Sequence, residues 1–284
     1  MTIRPIPESY LAPCAQAGRV ERVDYTTTDG HGYEKYALVY LPRGYDDSDR
    51  AYDVLYIIHG GGGSQESFFS KAFLSMLDHM IDAGELNPLI VVSPTYYKPG
   101  EADKTPGSSG DAVAIFAREL KADVIPAVER RFRTFAKATD AAGIRASRDH
   151  RAIGGFSMGS VTTWYAFLDA LDAFRWFMPL SGDCWLYGRL GGSSHAAETA
   201  RALAEAPAKQ GFAPDDFRIH AVTGTEDIAC PNETAQIDAM RAFPDVFRFG
   251  HNIDYDLLEG GVHDYPNIHR YIYNALPLFF RDRA

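Results

Sequence analysis

Along most of the chain, short uninterrupted apolar runs alternate with longer segments whose apolar residues recur at helical spacing. The runs Val54–Ile58, Leu89–Val92, Ala152–Phe156, Trp176–Leu180 and Ile219–Val222 lack the polar alternation of a strand with one wet face, so they read as strands covered on both sides. The segments between them, Phe68–Ile81, Val113–Phe132, Val161–Leu171 and Glu198–Ala206, have the length and period of crossover helices. Ahead of this series, Val20–Thr28 and Lys35–Leu41 flank Asp29-Gly30-His31-Gly32, which predicts an antiparallel hairpin. Asn252–Leu258 reads as a last strand and His269–Phe280 as a closing helix. The pattern predicts an α/β fold, with a mostly parallel central sheet, an N-terminal antiparallel hairpin and helices on both faces. No repeat or linker divides it, so residues 1–284 are expected to form one domain.

Composition narrows the partners. With 28 Lys and Arg against 38 Asp and Glu, the net charge of −10 argues against nucleic acid and against an anionic membrane surface. The apolar runs are strand-length, well short of the roughly 20 residues that cross a bilayer. The opening Met1-Thr2-Ile3-Arg4-Pro5-Ile6-Pro7 has no apolar core of an export signal, so no signal peptide is expected in this chain. Cys14, Cys184 and Cys230 form no CxxC pair and no disulfide framework, which leaves stability to the apolar core.

In a parallel sheet, ligands bind beyond the carboxyl ends of the strands, so the loops after each strand are where chemistry is sought. Gly155-Phe156-Ser157-Met158-Gly159 stands where a predicted strand turns into a predicted helix, the setting of a nucleophile elbow. The alternative is an ordinary turn in which Ser157 caps the helix. In the elbow reading, the Met158 N–H at the helix start is the nearest donor to an oxyanion formed beside Ser157. His59-Gly60-Gly61-Gly62-Gly63 follows another strand and resembles the loop that supplies a second oxyanion donor. A phosphate loop competes, but no Lys stands in the required place, and Gln65 and Glu66 occupy the positions of the third dinucleotide-site glycine.

Two carboxylates, Glu226 and Asp227, follow the strand Ile219–Val222. The shorter Asp227 is preferred for holding an imidazole, with Asp183 after the preceding strand as the fallback. His263 follows the last predicted strand, whereas His251 precedes it and His79, His150 and His220 lie inside helix or strand contexts; His269 is at most a supporting residue. Ser157, Asp227 and His263 occur in the chain order of serine hydrolases of this sheet type, each after a different strand. No HExxH or other recognisable metal-ligand spacing is present, so neither metal nor cofactor is expected.

Several runs also resemble a known family: Leu55-Tyr56-Ile57-Ile58-His59-Gly60-Gly61-Gly62, Ser147 to Gly159, Met178-Pro179-Leu180-Ser181-Gly182-Asp183, and Thr223-Gly224-Thr225-Glu226-Asp227-Ile228-Ala229. They are similar to carbohydrate esterase family 1, and most to the feruloyl esterase modules attached to bacterial cellulosomal xylanases. The likeness extends from about Pro7 to Phe280. It implies an α/β-hydrolase fold without a large lid, acting on the ester between ferulate or p-coumarate and arabinose on xylan or its oligosaccharides. It also implies Ser157 as nucleophile, His263 as base, Asp227 as acid, the N–H groups of Met158 and Gly61 as oxyanion hole, and Trp185 as a wall for the phenolic ring. An acetyl-xylan or general short-chain esterase uses the same parts, and a non-catalytic carbohydrate-binding module would share the fold. A wall-degrading esterase meets its polymer outside the cell, which favours an extracellular location over the cytoplasm. Cys184 and Cys230 depart from the family pattern, leaving open a bridge between them or two small buried residues. The stretch Thr95–Asp111, with Tyr96 and Tyr97, is the least family-like and is a candidate determinant of substrate preference.

Overall fold

A computed structural model of the chain describes residues 2–101 and 109–281, with the side chains of 109–111 left out. Eight strands form one sheet: β1 (Arg19–Thr26), β2 (Glu34–Leu41), β3 (Asp53–Ile58), β4 (Leu89–Ser93), β5 (Arg151–Phe156), β6 (Trp176–Leu180), β7 (Arg218–Gly224) and β8 (Ile253–Leu258). Their spatial order is β1-β2-β4-β3-β5-β6-β7-β8. The predicted hairpin pairs antiparallel, and β2 joins β4 antiparallel; from β4 through β3 to β8 every pairing is parallel. β4, β5 and β6 are buried along their whole length, as their unbroken apolar runs require, whereas the edge strand β1 alternates between exposed and buried positions.

The longer helices are α1 (Lys71–Asp82), α2 (Ser109–Glu119), α3 (Met158–Asp169), α4 (Ala196–Lys209) and α5 (Cys230–Met240), which lie between strands, and α6 (Tyr265–Ala275), which follows β8. α1 starts three residues inside the predicted segment because Ser70 caps it, its side chain accepting the Phe73 N–H; such a cap contributes about 1 kcal/mol. The predicted helix Val113–Phe132 is interrupted. After α2 the chain widens into a π-turn over Leu120–Val124 and resumes as Ile125–Glu129. Pro126 has no N–H to donate one turn back, which accounts for the break in the regular ladder.

Alternate strand residues feed two cores. Val54, Tyr56 and Ile58 of β3 pack with Val161, Trp164 and Phe167 of α3 on one face. Leu55 and Ile57 pack with Phe73, Met76 and Ile272 on the other. α3 lies against β3, β5 and β6 and is buried nearly all round, so it carries no polar face to mark it as amphipathic.

Two further elements differ from the sequence expectation. α5 was not expected at all, because its inward face carries Glu233 and Gln236, both fully buried, and so shows no apolar period. α6 begins four residues before the expected His269, since Asp264 caps it by accepting the Asn267 N–H.

Candidate active site

β5 delivers the chain to Ser157, and α3 carries it away. Between them Ser157 adopts φ 56° and ψ −113°, a left-handed conformation that costs a residue with a side chain on the order of 1–3 kcal/mol. The flanking glycines make the turn sterically possible. A Cβ at Gly155 would lie 2.6 Å from the Gly159 and Ile58 carbonyl oxygens, and one at Gly159 would collide with the Ile58 carbonyl. The Ser157 N–H donates to Leu180 O at 2.9 Å, pinning the turn to β6. The Ser157 side chain makes no capping bond to its own helix, so the simple N-cap reading is not what the structure has.

Its hydroxyl instead lies 3.0 Å from His263 Nε2. His263 Nδ1 lies 2.7 Å from Asp227 Oδ1, and the same oxygen accepts the Ala229 N–H at 2.8 Å. Asp227 is buried, while the His263 side chain remains 21% exposed. Gly261 and Gly224 sit so close that a Cβ on either would strike the other's backbone, and the Glu226 N–H donates to Gly261 O at 3.0 Å. The glycines before His263 thus let the loops after β7 and β8 touch and bring acid and imidazole together. The Phe156 ring lies 4.5 Å from the imidazole and confines its other side. Glu226 is exposed. Asp183 is buried but committed to its own loop, accepting from Gly192 N at 2.7 Å and Trp185 Nε1 at 3.2 Å. Of the three carboxylates considered, the hydrogen bond to His263 belongs to Asp227.

The glycine loop runs beside the elbow. A Cβ at Gly60 would stand 3.4 Å from Ser157 Cβ. Gly63 N–H closes a turn onto Gly60 O at 3.1 Å, and Gly62, at φ 71°, donates its N–H to Tyr97 Oη at 3.0 Å. The turn leaves Gly61 exposed between them. His59 braces the loop from behind. Because Gly60 O can only accept, Nδ1 carries the proton for the 2.7 Å contact, and Nε2 accepts the Thr95 hydroxyl at 2.7 Å. Burial lowers His59 to about 4, which keeps this ring neutral. Tyr96 and Tyr97, within the stretch expected to tune substrate preference, pack on that imidazole at 4.6 and 5.5 Å. Residues 102–108 of the same stretch lie outside the described residues.

A family model described as a putative esterase matches residues 32–280 of this chain. The chain belongs to this esterase family. It is 40% identical over 98% of its length to endo-1,4-beta-xylanase Y of Acetivibrio thermocellus. It covers 25% of that relative, and it spans about a quarter of the length of the curated relatives it matches. Among solved structures, a mutant of the feruloyl esterase module from Clostridium thermocellum complexed with sinapinate is 40% identical, with a TM-score of 0.86 over 99% of this chain and 94% of that one. A ferulic acid esterase of Anaeromyces mucronatus shares the fold, with a TM-score of 0.70 at 18% identity over 96% of both chains. The mixed eight-stranded sheet of this esterase is that of the α/β-hydrolase fold.

The esterase presents an apolar rim at the same sheet edge. Trp185 is half-buried, its indole held by Asp183 and its face 5.7 Å from the Arg189 guanidinium. Ile228, next to Asp227, is 76% exposed, and Val262, next to His263, is 39% exposed. Leu186 and Tyr187 extend the exposed apolar surface beyond Trp185. Sequence reasoning missed Ile228 and Val262, although a large apolar residue beside each polar triad candidate was a signal in plain view. Cys184 and Cys230 are both free thiols. Cys184 is fully buried, which pushes its thiol up to about 12. Among the described residues no cluster of three or more His, Cys, Asp or Glu is placed to hold a metal ion, and no helix is long and apolar enough to cross a membrane.

Proposed function

We propose that this esterase is a feruloyl esterase, hydrolysing hydroxycinnamoyl esters of arabinoxylan or its oligosaccharides, and that residues 1–284 act as one catalytic domain. The observation that carries the chemistry is the continuous hydrogen-bond chain from Asp227 Oδ1 through the His263 imidazole to Ser157 Oγ, at 2.7 and 3.0 Å. His263 Nε2 takes the hydroxyl proton as Ser157 Oγ attacks the ester carbonyl, and Asp227 holds the imidazolium that forms. The tetrahedral oxyanion is met by the N–H groups of Met158 and Gly61. Met158 opens α3, so its N–H has no acceptor within the helix and is oriented by the helix dipole. His263 then gives its proton to the departing sugar oxygen. Water, activated by the same imidazole, splits the acyl-enzyme and releases the phenolic acid.

The acyl preference is supported by the half-buried Trp185 and the exposed Ile228 and Val262, a flat apolar setting suited to a cinnamoyl ring. It is also supported by the 40% identity to a module whose complex contains sinapinate. The relatives that are xylanases support an extracellular site of action on plant-wall polymer. Incubation with feruloylated arabinoxylan should release ferulate. Release of acetate alone, with p-nitrophenyl acetate turned over and methyl ferulate untouched, would assign the protein to the short-chain or acetyl-xylan esterases instead. Failure of a serine-directed fluorophosphonate to label Ser157 would point to a binding module.

A further inference from the structure

Helix α5 carries two fully buried polar side chains to which the mechanism above gives no part, Glu233 and Gln236. Both reach the loop after β6. Gln236 Oε1 accepts the Cys184 N–H at 2.6 Å, and Glu233 Oε2 accepts the Gly182 N–H at 3.1 Å. At Gly182 that loop presses on the elbow: a Cβ there would stand 2.6 Å from the Ser157 carbonyl oxygen. The Gly182 carbonyl in turn accepts the Ser160 hydroxyl at 2.7 Å and the Trp164 indole N–H at 2.9 Å. Glu233 therefore reaches the backbone of the nucleophile through one intervening residue. Its second oxygen, Oε1, is buried without a hydrogen-bond partner among the described residues, and so are Asp227 Oδ2 and Tyr271 Oη.

We propose that Glu233 is a positioning residue of the triad, an uncharged group that seats Gly182 against Ser157 through Oε2 and presents an O–H at Oε1 toward the rear oxygen of Asp227. The proposal rests on the esterase reading above. A fully buried carboxylate requires a cation or several donors, and one backbone N–H does not supply that. The titratable groups that act on it are acidic: Asp227 from the loop after β7, Asp183 from the loop after β6, Tyr255 from β8, Tyr271 from α6, and Cys230 on its own helix. The buried face of the neighbouring α4, with Thr199, Ala200, Leu203 and Ala204, adds no titratable group. Burial pushes the Glu233 carboxyl well above the usual range; the Gly182 N–H opposes this, and Asp227 and Asp183 reinforce it. In the neutral form Glu233 is a donor where Asp227 needs one, and it adds no second negative charge behind the imidazole.

The test is the pH dependence of kcat/KM on p-nitrophenyl acetate for wild type, E233Q and E233M, with melting temperatures alongside. Its acid limb follows loss of the base form of His263. Glutamine keeps an acceptor for Gly182 and an N–H donor, so E233Q should rescue activity to within about two-fold with the limb unmoved. Methionine fills similar volume with neither group. E233M should lower kcat by about ten-fold with KM little changed, and raise the limb by about half a pH unit as Asp227 loses its donor and becomes more basic. A limb that falls by half a unit in E233Q overturns the proposal, because only an ionised Glu233 lends the imidazolium charge that Gln would remove. An unmoved limb in E233M also overturns it, leaving a role in folding alone. If E233M does not fold, E233Q decides by itself: an unmoved limb supports the proposal and a lowered one overturns it. A wild-type protein inert toward both the ester and a fluorophosphonate overturns the esterase reading and this proposal with it, an outcome distinct from any result confined to the variants.

Discussion

The two ends of β5 have opposite designs. At its amino end, Arg151 is buried, and all five of its guanidinium N–H donors are used: on both Glu129 oxygens, on Ser147 Oγ, and on the carbonyls of Ile144 and Ala173. Glu129 is further satisfied by Tyr56 Oη at 2.9 Å and Thr134 Oγ1 at 2.9 Å. At its carboxyl end stand a strained serine, glycines that permit close approach, and an exposed edge of imidazole. Among the described residues, Asp227 Oδ2 and Glu233 Oε1 at this end receive no hydrogen bond from a third group. One end saturates its polar groups and holds the sheet; the other accepts backbone strain and an open imidazole edge at the candidate site. Satisfied networks rigidify, whereas strain and unspent hydrogen-bonding capacity are tolerated where function uses them.

This contrast predicts that substitutions at the carboxyl end remove activity and spare the fold, while those at the amino end do the reverse. The largest effect is expected for Ser157→Ala, which should lower turnover of methyl ferulate by at least ~10⁴-fold with an unchanged thermal melt. Wild-type turnover in that variant would remove Ser157 from the mechanism. Asp227→Asn should cost up to ~10⁴-fold in kcat, because the amide no longer holds the productive imidazole tautomer, while Asp183→Asn should leave most of the activity. Equal losses in the two variants would erase the distinction between them. Arg151→Met should destabilise by about 3–5 kcal/mol in denaturant titrations, because Glu129 is left buried without its cation, yet kcat per folded molecule should change little. A large fall in kcat with stability intact would mean that the two ends of β5 are not separate in function. The smallest effect belongs to Trp185→Ala, expected to cost about ten-fold, or ~1.4 kcal/mol, on methyl ferulate with little change on p-nitrophenyl acetate. Equal loss on both substrates would make Trp185 a support for the loop rather than a wall for the ring.

Much of this was legible in the linear sequence. The strands of the parallel region announce themselves as unbroken apolar runs because both faces are covered, and the elbow is readable because only glycine tolerates the approach of Ile58 O and its neighbours. α5 was invisible for the converse reason. Its buried face is held by Glu233 and Gln236 through hydrogen bonds to the Gly182 and Cys184 N–H groups, and periodicity counts only apolar burial. The π-turn at Leu120–Val124 was smoothed into one long helix, since the apolar pattern continues across it. The early start of α6 depended on the Asp264 cap, which outweighed the apolar period beginning at His269.

By itself, the sequence determined the succession of strands and of the helices with an apolar face, the strained serine turn, the glycine loop, and the three loops from which a triad had to be drawn. These are local properties, set by side-chain periodicity and by the steric demands of glycine. Only the tertiary structure decided that Asp227 rather than Asp183 meets His263, that Cys184 and Cys230 stay separate thiols, and that a buried glutamate holds the Gly182 N–H beside the serine turn. Each of those outcomes turns on a distance between loops far apart in the chain, fixed by how β6, β7 and β8 lie side by side in the sheet.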